Sequence, residues 1–468
     1  AEAAYSRGRA ALGLTRLADA VTQLEAAYHA AHRLHHDEVS LAAAVDLVGA
    51  HRGLAHLDVA EVWAGLAADE LARAGDPPAL TATLLQSRAN LASDRGRPAE
   101  ALALAQEALA LRQGPEGHVH PDIPQSYNGV GVALHELGRD DEALAAYDEG
   151  LRRAGEILGA EHPGVVPLLN NRASLLAGRG EFDAALAAYR RGLAIRAAVY
   201  GVQHPRYAFS LAQIGDVLTQ QGKYVEAAEY LEQALAIRTR ALGPDHPEVG
   251  DTLIGIGKIE FRRGRSEAAL RATQRALVVL STALGPASLR VASVKQNLAV
   301  MFREQNHLAQ ALALDDEVLA QLAKTLSPEH PRVLALRGNR AGVLSDLGRH
   351  AEAIAELREL LALREAAAAR PAALAHTLLD LAQAQRAAGA AGEAVATAER
   401  GLTLAAGDAD REFTRAQLEL VLAQSLWDSR QDRPRARKLA EDCAAKLRLA
   451  GADAVETLAE VEAWLAKL

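Results

Sequence analysis

Five glycines and one asparagine stand at a constant interval of 42 residues: Gly138, Gly180, Gly222, Gly264, Asn306 and Gly348. The dipeptide His-Pro recurs on the same ladder at His120-Pro121, His162-Pro163, His204-Pro205, His246-Pro247 and His330-Pro331. Ser288-Leu289 occupies the remaining rung. A unit this short cannot enclose a core of its own, so it must bury its apolar face against the next copy. The chain is therefore read as a solenoid, which grows by adding units and presents a long continuous face. That geometry favours a binding scaffold over an enzyme.

Ala and Leu dominate, aromatics make up only 4% of the chain, and no long stretch alternates with period two. The units are thus expected to be helical. In the unit that opens at His162-Pro163, Pro suits the first helical turn, where a backbone N–H has no partner. Val166, Leu169 and Leu176 follow at near-helical spacing. Gly180 closes this first helix in the left-handed conformation, and a second helix is expected from Phe182 to about Tyr200. The recurring histidines are read as helix-entry residues.

Two ladders of small residues mark where the paired helices approach. The first helices carry Gly131, Ala173, Gly215, Gly257, Ala299 and Ala341; the second helices carry Ala101, Ala143, Ala185, Ala227, Ala269, Ala311 and Ala353. A larger side chain at either rung would force the helices apart. A leucine rung from Leu109 to Leu361 is expected to fill the space between units.

The layout of Gly180, Phe182 and Ala185, or of Gly222, Tyr224 and Ala227, resembles the tetratricopeptide repeat (TPR). The segments LLNNRA (168–173) and ALAIR (234–238), with LGPDHP (242–247), resemble its 42-residue kinesin-light-chain type. The resemblance implies a right-handed all-α superhelix of about eleven hairpins with a C-terminal capping helix. Residues 96–366 form the regular array, flanked by divergent TPR-like hairpins at 1–95 and 367–468. Leu14–Leu34 and Val59–Ala74 read as second helices. The cap, near Ala452–Leu468, places Leu458, Val461, Trp464, Leu465 and Leu468 on one face. LAEVEAWL (458–465), LAQSLW (422–427) and RPRA (433–436) also resemble the C-termini of bacterial serine/threonine kinases that carry TPR arrays. No kinase motif is present.

In TPR proteins the first helices line the groove, so positions aligned on the small rung give candidate contacts. Three residues before it stand Gln86, Asn128, Asn170 and Gln296; one residue after it stand Asn90, Asp216 and Lys258. Arg262 and Arg303 are expected at the groove or its rim. Amides offer both a donor and an acceptor to an extended main chain. Asn128 and Asn170 match the rung where light-chain-type TPR proteins hold peptide backbone. Lys258 and Arg262, one turn apart, could receive an acidic motif. Arg172 and Arg340 depart from the family pattern, on a rung that elsewhere holds Val130, Ile214, Ile256 and Leu298; each is expected to reach outwards or pair with a neighbouring acid.

The expected function is a protein-interaction scaffold that binds a peptide segment or protein partner in the groove, without catalysis or cofactor. No nucleophile–base set, phosphate loop or carboxylate pair stands out. The histidines at 29, 32, 35 and 36 lack the cysteine or HExxH context of a metal site. Basic and acidic residues intersperse to a net charge of −9, which argues against nucleic acid. One cysteine permits no intrachain disulfide, and no apolar run is long enough to span a bilayer, so a cytoplasmic location is expected. The chain opens without Met and reads as part of a longer protein. An alternative is therefore a regulatory region of a bacterial signalling protein whose kinase, STAND NTPase or caspase-like domain lies elsewhere in the full chain. A third is self-assembly through end helices bearing Trp427 or Trp464.

Overall fold

The computed structural model describes residues 1–13, 16–54, 56–114, 120–324, 326–367, 371–405, 412–449 and 455–467, all of them helix or connecting turn. It divides into two compact units, Ala1–Ala241 and Leu242–Leu468. In unit 1, α1 (Glu2–Gly13) pairs with α2 (Leu17–Arg33) and α3 (Asp37–Gly53) with α4 (Leu57–Arg73). Next come α5 (Pro78–Asp94) with α6 (Pro98–Gln113), and α7 (Ile123–Glu136) with α8 (Asp140–Ile157). A 3₁₀ turn at Pro163–Val165 leads into α9 (Val166–Gly178), paired with α10 (Phe182–Tyr200); α11 (Pro205–Gln220) pairs with α12 (Tyr224–Leu242).

Unit 2 continues with α13 (Pro247–Arg262) and α14 (Ser266–Leu284), then α15 (Leu289–Glu304) and α16 (Leu308–Leu322). After these come α17 (Pro331–Asp346) with α18 (His350–Ala366), and α19 (Pro371–Ala387) with α20 (Ala391–Ala405). The last pair is α21 (Glu412–Asp428) with α22 (Arg433–Leu449), followed by the single helix α23 (Val455–Leu465). Among the described residues this gives eleven hairpins and a terminal helix, as the 42-residue period predicts. Leu14, Ala452 and Leu468 lie outside the described residues.

Helix boundaries follow the ladder chemistry. His162 Nδ1 accepts the backbone N–H of Gly164 at 3.0 Å, and His204, His246 and His330 cap their helices in the same way at 3.1–3.2 Å. Where the ladder substitutes Ser288, its hydroxyl accepts from Arg290 N at 3.3 Å. Each cap satisfies one of the orphan donors of a helix start. At the other end Gly180 adopts φ +79°, and Asn306, on the rung without glycine, adopts φ +59°. Asn is among the few side chains that tolerate that region.

The small rungs close the hairpins. All seven second-helix alanines are buried, at most 2% exposed. A Cβ on Gly131 would come within 2.3 Å of the Tyr147 ring, and one on Gly257 within 2.3 Å of Thr273 Oγ1. Adjacent hairpins are joined by a rung that the leucine pattern does not announce. Arg112 Nη1 donates to Ser126 Oγ at 2.6 Å, and Arg196 Nη1 to Ser210 Oγ at 2.7 Å. The same ladder positions hold Leu280 with Val294 and Leu322 with Leu336 in unit 2, all four buried. One seam is thus polar in some repeats and apolar in others. The leucine rung itself is half-buried except at Leu361.

In unit 1, Glu70 is 1% exposed and gathers donors from three helices. Tyr28 Oη lies 3.2 Å away, His32 Nδ1 3.0 Å, Ser40 Oγ 3.2 Å and Arg73 Nη2 2.6 Å. Burial alone would raise its pKa, but the bonds from Arg73, Tyr28 and His32 outweigh that and hold it below the usual carboxylate range. In unit 2, Val461 of α23 is buried, and the Trp464 ring meets Trp427 edge-on at 6.2 Å. The cap therefore covers the apolar face that α21 and α22 would otherwise leave open.

Candidate functional site

Within each unit, consecutive first helices touch: α3 with α5, α5 with α7 and α7 with α9 in unit 1; α15 with α17, α17 with α19 and α19 with α21 in unit 2. Among the described residues, consecutive second helices make no comparable contact. Where these contacts form, the array is narrower on its first-helix side; α9 with α11 and α13 with α15 make no comparable contact. The rung one residue after the small position is the one that opens onto this side: Ser174, Asp216, Lys258 and Val300 are all exposed, and Asn90 is half-buried.

The rung three residues before it sits deeper, in the seam between neighbouring first helices. Gln86 and Asn128 are buried, and Asn170 and Gln296 half-buried. Gln86 Nε2 lies 3.4 Å from Asn90 Oδ1 and rests on α7, where a Cβ on Gly129 would approach it to 2.4 Å. Asn171 Nδ2, on α9, donates to Asn128 Oδ1 at 2.9 Å. Asn170 Oδ1 is buried without a hydrogen-bond partner, facing Gly192 of α10. Asn128 thus spends hydrogen-bond capacity between repeats and Gln86 packs against the next first helix, whereas Asn170 Oδ1 keeps its capacity unspent.

The charged candidates divide in two. Lys258 and Arg262 are exposed on α13 and make no ion pair among the described residues. Arg303 instead reaches over α17 and bonds Asp346 Oδ2 at 2.6 Å. Arg52 with Asp94 and Arg386 with Asp428 make the same contact between consecutive first helices elsewhere, at 2.6 and 2.8 Å. Such half-exposed pairs contribute about 0–1 kcal/mol each. Arg172 pairs with Asp148 and Arg340 with Asp316, each at 2.6 Å. Both are first-helix side chains that hold the second helix of the preceding hairpin, so their departure from an apolar rung has a structural cause.

Near α17 the face opens into a recess of about 570 Å³, walled by Arg303, Asn339, His376, Asp380 and Gln383. Asp315, on α16, is 2% exposed, with Oδ2 unpartnered. Burial, reinforced by the charge of Asp316 and opposed by Arg340, pushes its carboxyl up to about 7. Sequence reasoning passed over the recess because glycines at 338 and 342 carry no chemistry of their own.

Of the clustered histidines, His32 bonds Glu70 and His36 Nε2 lies 3.4 Å from Glu2. Among the described residues no group of three or more His, Cys, Asp or Glu side chains could hold a metal ion, and no helix is long and apolar enough to cross a membrane.

Residues 80–156, 122–198, 165–240, 207–282 and 290–366 match a family model described as Tetratricopeptide repeat, which together spans more than half the chain. The comparison with curated proteins finds no match. Among solved structures, the apo form of the quorum sensor NprR from B. thuringiensis is similar over 77% of this chain and 98% of its own, with TM-score 0.53 and 14% identity. That likeness shows a shared fold. A putative kinesin light chain with nearly identical TPR-like repeats from Podosopora anserina aligns at 23% identity over 43% of this chain and 96% of its own, TM-score 0.40. BtubC (BKLC) from P. vanneervenii aligns at 23% identity over 53% and 92%, TM-score 0.40.

Proposed function

Because the chain belongs to the tetratricopeptide repeat family, we propose that it is a protein-interaction scaffold that takes an extended segment of a partner on the first-helix face of its repeats. The observation that carries this reading is the contrast between the two rungs of that face. Gln86 and Asn128 on the deeper rung are engaged by the next first helix, whereas Lys258 and Arg262 stand exposed and unpaired on α13. Side chains not already engaged by the protein are the ones free to meet a partner, and Lys258 and Arg262 lie one turn apart on a single helix, so little ordering cost is added at binding. Lys258 and Arg262 would set selectivity for an acidic residue of the segment, and Ser174 and Asp216 would line the corresponding face of unit 1.

A random-peptide display selection on the whole chain, run beside Lys258→Glu with Arg262→Glu, tests this. Both changes lie at the surface, so stability should move by less than about 0.5 kcal/mol. Peptides with an acidic residue should be enriched by the native chain and lost from the variant. Identical selections from both would remove α13 from the binding face.

A further inference from the structure

At the three positions where α17 meets the first-helix face, one helical turn apart, it carries Ala335, Gly338 and Gly342. The equivalent positions of α15 carry Ser293, Gln296 and Val300, and those of α13 carry Asp251, Ile254 and Lys258. Missing side chains leave the recess of about 570 Å³, within the range of about 300–1,000 Å³ that suits specific ligands.

The charges around it are unevenly served. Arg303 is bonded to Asp346 at 2.6 Å. Arg364 Nη1 donates to Ala373 O at 3.0 Å and to Thr377 Oγ1. Asp380 receives no hydrogen bond among the described residues, and the nearest basic nitrogen is His376 Nε2 at 3.8 Å. Its side chain is 29% exposed. Both arginines have hydrogen-bond acceptors, those of Arg364 being neutral, and Asp380 is the charged group left without a donor.

We propose that this recess is a pocket for one lysine or arginine side chain of an extended peptide, with Asp380 as counter-ion and the carbonyl oxygens of Asn339 and Gln383 as further acceptors. This rests on the reading of the first-helix face as a peptide site. An ammonium or guanidinium group brings both the charge and the N–H donors that Asp380 lacks. An acidic side chain would instead meet the unpaired Asp380 and find Arg303 already bonded to Asp346. Burial holds the Asp380 carboxyl above the usual range while the pocket is empty, so an entering cation also relieves that penalty. Arg303, folded over Gly342, forms the wall on the α15 side, where a Cβ at 342 would come within 2.6 Å of its guanidinium.

The test is the random-peptide display selection repeated on the full chain, on Asp380→Asn and on Gly338→Leu. At Gly338 the first added carbon meets Leu360 Cδ2 at an ordinary 3.6 Å, so a leucine there takes up recess volume while every charged residue of the wall is kept. Peptides from the native chain should share a basic residue at one position. Asp380→Asn should still select peptides but lose that preference, and both variants should bind the native-selected peptides at least about tenfold more weakly. Enriched peptides with no basic preference, or one unchanged in both variants, would overturn the pocket and leave the groove reading standing. No enrichment at all from the native chain would overturn both.

Discussion

The first-helix face is built differently in the two units although both come from one 42-residue repeat. In unit 1 the deep rung carries Gln86 and Asn128, whose amides close the seams onto α7 and α9. In unit 2 the same rung reaches Gly338 and the seam opens into a recess. The repeat thus fixes where a helix lies, and the residue on the rung decides whether the position fastens the array or leaves room for something else. Two buried carboxyls show the same dependence on neighbours: Glu70 in unit 1 is served by four donors, whereas Asp315 in unit 2 has an unpartnered oxygen.

The largest expected effect is at Glu70. Glu70→Ala leaves the buried Tyr28 hydroxyl without its acceptor, removes the links to Ser40, His32 and Arg73, and should cost unit 1 about 2–4 kcal/mol. The chain has three tryptophans, Trp63 in unit 1 and Trp427 and Trp464 in unit 2. Retaining Trp63 alone, with phenylalanine at the others, lets urea unfolding of unit 1 be followed by itself. A loss below about 1 kcal/mol would mean that the cluster is solvated.

Proton uptake should separate the units next. Glu70, with its pKa depressed, supports unit 1 above the unfolded value near 4.5, and that support is lost as pH falls through the lower folded value. Asp315 has the opposite sign. Its carboxyl, raised from 3.8 to about 7, weighs against unit 2 when ionised, so unit 2 should gain stability as pH falls through 7. Asp315→Asn should abolish that gain in melts read from Trp427 and Trp464. A native chain with no pH slope between about 8 and 5 would contradict the assignment.

A smaller effect is expected at the seam between α6 and α7. Arg112→Leu leaves Ser126 unmatched and should cost about 1–2 kcal/mol. Adding Ser126→Leu reproduces the Leu322–Leu336 pair that unit 2 uses at the same rung, and should recover most of the loss. Additive costs in that double-mutant cycle would show that the two seams are not interchangeable. The helix caps come last. His162→Ala should cost about 0.5–2 kcal/mol and His162→Ser almost nothing, because Ser288 already performs this cap; equal melting of the two variants would count against a capping role.

The hairpins were legible because their signals are local and repeated: His-Pro at the start, glycine or Asn306 at the stop, and an alanine where two helices meet. The site was legible only in part. Lys258 and Asp216 stand on the open rung that the alignment assigned to them. Gln86, Asn128 and Arg303 are engaged by partners 42 or 43 residues along, or by the next helix, and a periodic pattern cannot say whether a polar residue faces a ligand or its own neighbour. The Arg112–Ser126 rung was readable in principle: Arg and hydroxyl stand 14 apart at 112/126, 196/210 and 238/252, and two apolar residues at 280/294 and 322/336.

The account turns on the first-helix face being the surface that a partner covers. Val300 is 40% exposed on that face, whereas Val278 is 66% exposed on α14, a second helix. A photo-crosslinking phenylalanine analogue placed at each position in turn, exposed to light with a display-selected peptide bound, compares the two surfaces directly. Crosslinking from position 300 and none from 278 is the predicted result. The reverse pattern would place recognition on the second helices and contradict the account.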